Sequence, residues 1–168
     1  MLRPFREHIG SLAFLYAYSG RAEDDGNRIY SIAASIIDKE CPQKDYHSHI
    51  HYTKSTAREH YYPGITKDVL QKAPPKDTVI QDFRKFIKGQ KFIFCLNNHD
   101  NIDDLLGFTG DIRFIDLSFA SEFFLPHIES HTPKSIWEHV HQRQRDRISF
   151  SAAEMISLGI DVHESIEA

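Results

Sequence analysis

Three histidines stand at alternate positions in "DYHSHIHYT", residues 45–53. On an extended chain His47, His49 and His51 share one face, and Tyr46, Ser48 and Ile50 take the other. Neighbours on such a face lie about 7 Å apart. With His60 or a carboxylate close by, the row offers imidazole ligands to Zn²⁺ or another transition metal. Its plainer reading is the polar, solvent-facing side of a sheet edge. A second cluster, "HQRQRDR", brings Arg143, Arg145 and Arg147 next to His139 and His141. It reads either as a weak phosphate-binding patch or as a solvated helix end whose cations suit the helix dipole.

These residues need elements to position them, and the chain supplies a readable order. Residues 11–18 and 28–38, "RIYSIAASIID", are apolar runs separated by the turn formers of "GRAEDDGN", which predicts a hairpin. A third strand is expected over 45–53. "YYPGITKDVLQKAPP" reads as a turn, a short helix and a proline stop. In "KDTVIQDFRKFIKGQ", Val79, Ile80, Phe83, Phe86 and Ile87 fall at helical spacing, Thr78 and Gln81 form a capping-box pattern, and Gly89 closes the helix. The run "KFIFCL", residues 91–96, predicts a buried central strand. A short helix over roughly 99–106 and a strand over 112–117 follow. Three helices then close the chain: "SFASEFFLPHI" stopped by Pro126, "TPKSIWEHVHQRQ" with Thr132 as cap and Pro133 at its first position, and "SFSAAEMISLG" ending at Gly159.

The 168 residues suit one domain, and 40% hydrophobic with 12% aromatic content is a globular composition. The formal net charge of -4 argues against a broad non-specific grip on nucleic acid. No apolar run of signal-peptide or membrane-spanning length occurs, so no membrane association is expected. Cys41 and Cys95 lack a Cys-x-x-Cys spacing and fit reduced thiols in the cytoplasm.

Four landmarks stand in order along the chain: "AYSG" followed by "NRIYSIAASIID"; "PGITKDVLQKAPPKDTVIQDFRKFIKG"; "FIFCLNNHDNIDDLLG"; and "DIRFIDLSFASEF". Over about residues 11–158 they resemble the DnaQ-like, or DEDDh, three-prime-to-five-prime exonuclease domains of the ribonuclease H-like superfamily. The resemblance implies an α/β fold in which a mixed five-stranded sheet is flanked by helices. It also implies a two-metal phosphodiester cleavage, in which carboxylates hold Mg²⁺ or Mn²⁺ and a histidine acts as general base.

Carried over residue by residue, that chemistry is missing. The first-strand Asp-x-Glu pair falls on Leu15 and Ala17. The next metal-binding aspartate falls on Asn101, beside Asp100. The final histidine and aspartate fall on Ser149 and Glu154, and Pro63 stands where the family's Gly-Ile-Thr turn has a histidine. The expectation is therefore a pseudo-exonuclease with no catalytic residues and no cofactor, which binds single-stranded nucleic acid or a protein partner. The acidic balance tilts towards protein. The alternative is a working nuclease with relocated ligands, drawn from Asp24, Asp25, His99, Asp100, Asp103, Asp104 and Glu154, with Mg²⁺ or Mn²⁺. No slip of register recovers the first pair, because residues 11–19 contain no Asp or Glu.

Overall fold

The computed structural model describes residues 11–22, 26–38, 42–53, 64–95, 107, 112–144 and 152–167. Strands β1 (Ser11–Ala22) and β2 (Gly26–Asp38) form an antiparallel hairpin, with Leu15 opposite Ala34 and Ala17 opposite Ile32. The ladder is irregular between Tyr18 and Ser19. β3 (Lys44–His49) adds antiparallel to the free edge of β2. On the other side, β4 (Phe92–Cys95) runs parallel to β1, and β5 (Arg113–Asp116) runs parallel to β4. The order β3-β2-β1-β4-β5 is the expected mixed five-stranded sheet.

Alternation along the strands divides the core into two layers. Ala13, Leu15, Ala17, Ile32, Ala34, Ile36 and Ile93 pack with Val79, Ile80 and Phe83 of α2 (Lys76–Phe86) and with Ile87. Leu12, Phe14, Ala33 and Phe94 take the opposite face. There they meet Leu117 of α3 (Leu117–Phe124), Ile136 of α4 (Pro133–His141), and Met155, Ile156, Leu158 and Val162 of α5 (Ala152–Glu167). The short α1 (Lys67–Lys72) brings Leu70 to Tyr18, Tyr30 and Ile65. Tyr46 ties β3 to α2: its hydroxyl donates to the Val79 carbonyl at 3.1 Å, and its ring lies 5.5 Å from that of Phe83 and 5.4 Å from that of Phe86. No helix among the described residues is long and apolar enough to cross a membrane.

Several expected boundaries move. α2 begins at Lys76, with Pro75 as its cap and no side-chain capping bond, so Thr78 and Gln81 lie inside the helix and form no capping box. Proline needs no hydrogen bond for an N–H it lacks, which lets it open the helix without help. Gly89 does adopt a left-handed φ of 93° just past the helix end. The strand expected over 112–117 stops at Asp116, whose side chain accepts from the Ser118 N–H and caps α3. α5 does not end at Gly159 but continues to Glu167, because the buried row of Met155, Ile156, Leu158 and Val162 spans the glycine. Thr132 caps α4 as read, accepting from the Ser135 N–H. The helix expected over 99–106 and Cys41 lie outside the described residues.

Phe83 is fully buried and touches both α2's layer and the Tyr46 ring. Phe83→Ala is expected to cost about 3–5 kcal/mol of unfolding free energy, measured by urea denaturation. A loss near zero would mean that α2 does not seal this face.

Candidate functional site

Of the residues that the resemblance singles out, the three described ones, Leu15, Ala17 and Glu154, do not converge. Leu15 and Ala17 are 2% and 7% exposed and belong to the layer covered by α2. Glu154 is exposed in the first turn of α5, on the helical layer across the sheet. The β1 side chains that do face α5 include Phe14 and, partly buried, Tyr16, and β1 carries no Asp or Glu anywhere between Ser11 and Ala22. Asp100, Asn101, Ser149, Pro63 and the other acidic candidates at 24, 25, 103 and 104, together with His99 and His60, lie outside the described residues.

The arginine cluster is represented by Arg143 alone, since Arg145 and Arg147 also lie outside the described residues. α4 ends at Gln142 in a left-handed conformation, φ 52°, and Arg143 follows it. Its guanidinium carbon lies 4.8 Å from the Trp137 ring centroid, a cation–π contact within the chain. Trp137 also stacks on His141, with centroids 4.3 Å apart, and His141 Nε2 stands 3.5 Å from Asp161. His139 meets His127 instead, Nε2 to Nε2 at 3.2 Å. The neighbours of Arg143 are thus aromatic, and the arrangement is a packed helix end.

The histidine row is split. β3 ends at His49; Ile50 is buried and its N–H donates to the Tyr30 carbonyl, while the His51 N–H turns to the Pro74 carbonyl at 2.8 Å. His51 therefore lies beyond the strand that holds His47 and His49, and its side chain is exposed. Those two rings meet edge to face, centroids 4.7 Å apart. Among the described residues no three His, Cys, Asp or Glu side chains come together as a metal site.

This face is open along β3 and closed along β2: Asp45 and His47 are exposed, whereas Ser31 and Ser35 beneath them are fully buried. His47 and His49 point to the same side as Ser31 and Ser35 of β2, into a cleft of about 570 Å³ between β2, β3 and α5. Ser31 is fully buried, donates to the Ser48 carbonyl at 3.2 Å, and has His47 Nε2 at 3.1 Å. Because its single proton is used on Ser48, His47 Nε2 is assigned as the donor to Ser31. Ser35, also fully buried, donates to Asp45 Oδ1, and the Gln43 amide donates to Ser35 Oγ at 2.8 Å and to Asp45 Oδ1 at 2.9 Å. Those hydrogen bonds, Ser35 first and then Gln43, hold the Asp45 carboxyl below the usual carboxylate range. Tyr18, Ile65, Ala33, Ile156 and Ile160 form apolar walls, and Ser157 stands exposed at the rim. Asp45, Gln43, Ser31 and Ser35 were missed as site residues. The signal was present: Asp45, His47 and His49 share one strand parity, and so do Ser31 and Ser35.

No protein-family model matches this chain, and no curated protein matches it in sequence. Solved structures match it closely in shape. A 3'-exonuclease recognising the 3' end of a histone mRNA stem-loop superposes with TM-score 0.72 at 9% identity, over 98% of this chain and 65% of that one. The fold is that of a DEDDh-type exonuclease domain. The nuclease domain of 3'hExo, a DEDDh family member bound to rAMP, superposes with TM-score 0.63 at 12% identity, over 95% and 89% of the two chains. E. coli exonuclease I in complex with an oligonucleotide gives TM-score 0.65 at 12% identity, over 94% of this chain and 40% of that one. The chain thus spans the exonuclease fold but about two thirds or less of the length of the first and last of these proteins. Within that fold the β2-β3-α5 cleft is the built polar feature.

Burial, and secondarily the neighbouring His47, hold His49 below the ordinary histidine value of 6.5; its Nδ1 is buried without a hydrogen-bond partner among the described residues. The unfolded chain takes up this proton at higher pH than the folded one. The stability linked to neutral His49 is therefore complete above pH 6.5 and is lost as pH falls through the lower folded value. His49→Gln is expected to flatten that part of the pH–stability curve, read as urea midpoints from about pH 7 to pH 5. A wild-type His49 imidazole that titrates above 6.5 by NMR would contradict the burial argument.

Proposed function

We propose that this chain is an exonuclease-fold domain that binds a partner and does not cut nucleic acid. The observation that carries this reading is β1: a twelve-residue strand with no carboxylate, its Leu15 and Ala17 sealed under α2. Two-metal hydrolysis needs hard oxygen ligands that converge on both ions. β1 has none to contribute on either face, and Glu154 stands on the opposite helical layer, so the described residues do not fit a pair of Mg²⁺ or Mn²⁺ ions and no catalytic step is derived through them. Apolar side chains in such places stabilise a domain that clustered carboxylates would strain by mutual repulsion.

The histone mRNA stem-loop and the oligonucleotide recognised by structures sharing this fold support nucleic acid as one class of partner. A net charge of -4 and an ionised Asp45 in the cleft favour a protein. In this reading the setting is the cytoplasm, where Cys95 remains a thiol. Salt separates the two classes, because a nucleic-acid complex weakens steeply as phosphate counterions are retained and a protein complex does not.

With Mg²⁺ or Mn²⁺ and labelled single-stranded DNA or RNA, no nucleotide release is expected at high protein concentration. Release by the wild type that disappears in Glu154→Ala would establish a rewired metal site and sink the proposal. The double variant Leu15→Asp, Ala17→Glu is expected to lose more than about 4 kcal/mol of stability by burying unpaired charge. An unchanged melting temperature would place those positions at the surface and overturn the assignment of β1.

A further inference from the structure

Building on the reading of this chain as a binding module, we infer that the β2-β3-α5 cleft receives a basic side chain, arginine or lysine, from a protein partner, with its cationic head at Asp45. The lining supplies the argument. Among the described residues that line it, Asp45 is the one acidic or basic side chain apart from the two histidines. A phosphate entering the cleft would meet that carboxylate with no lysine or arginine among the described lining residues to balance it, so that lining disfavours a nucleotide backbone. A cation meets the opposite situation.

The carboxylate is also prepared for an outside donor. Ser35 and Gln43 both bond to Oδ1. Among the described residues no hydrogen bond falls on Oδ2, and the side chain is exposed. One oxygen is thus fixed by the protein and the second is presented, an orientation that costs the incoming group little side-chain ordering at the acceptor. The walls suit the rest of such a side chain. Ala33, Ile65, Ile156 and Ile160 offer apolar surface to an aliphatic stem, as long cationic side chains prefer. Buried Ser31 and Ser35 are already satisfied by His47, Ser48 and Asp45, so they place no competing demand on the guest. β3 is the outer strand of the sheet, which leaves the cleft at the molecule's margin within reach of a partner segment. The acidic balance of the whole chain favours approach of a basic partner.

The test uses the full chain, isotopically labelled, and N-acetyl-arginine methylamide as probe. Saturable NMR shifts are expected at the amides of Ser31, Ser35, Asp45, His47 and His49. Affinity should fall about tenfold with the uncharged citrulline analogue and with Asp45→Asn, the loss expected for one charge-assisted contact. Since Asp45→Asn also touches Ser35 and Gln43, its fold is checked by melting. Ser157→Arg, an exposed position on α5, serves as a second variant that fills the cleft and should abolish the shifts. Shifts equal for arginine and citrulline, shifts elsewhere only, or none at tens of millimolar would overturn the proposal. The same would follow if adenosine monophosphate moved these amides and the arginine probe did not. Nuclease activity in the parallel assay would defeat the proposed function and leave the NMR result standing, so the two failures are distinguishable.

Discussion

Burial of the central hairpin on both faces is the constraint on which the rest of this structure depends. Successive side chains of a strand point to opposite sides, so helices on both sides leave no position for a solvated charge along the stretch they cover. In β1 this holds for Leu12, Ala13, Phe14, Leu15, Ala17 and Tyr18, every one of them buried. An acidic pair there would have to be neutralised by cations or would oppose folding. Apolar residues at these places join α2 to the sheet and give the domain its core.

The constraint relaxes towards the sheet's outer edge, and chemistry enters where it does. β2 keeps Ile32, Ala34 and Ile36 under α2 but sets Ser31 and Ser35 into the opposite face. A fully buried hydroxyl needs a partner, because losing water without a replacement bond costs about 1–3 kcal/mol. β3 provides those partners: His47 Nε2 and the Ser48 carbonyl for Ser31, and Asp45, directly opposite in the register, for Ser35. The polar alternation of the edge strand is thus bound to the serines beneath it. A cleft with a charged rim and apolar walls results from that pairing together with the placement of α5.

Identity of 9–12% with the exonucleases that share its shape illustrates what a fold retains. The overall arrangement is retained, because the packing of strands and helices decides which apolar faces can be buried together. Chemistry is carried by a few side chains grafted on that frame and can be withdrawn without disturbing it. Here β1 has the frame and, over Ser11–Ala22, no Asp or Glu.

Local pattern made much of this legible. The hairpin, the apolar stripe of α2, the buried β4 run and the Thr132 cap follow from spacing and turn chemistry within a few residues, and the missing carboxylates of β1 are plain in the letters 11–22. The letters "DYHSHIHYT" likewise determined that His47 and His49 share a face. They did not determine which way that face looks, nor that His51 stands outside the strand, because past Ile50 the pairing with β2 ends and the His51 N–H meets Pro74, a residue distant in sequence. In the same way Gly159 reads as a stop, yet the row from Met155 to Val162 packs across it. Periodicity along the chain assigns each side chain a parity; only the helices that come to cover each face, from far along the sequence, decide which parity is core, which is cleft and which is solvent.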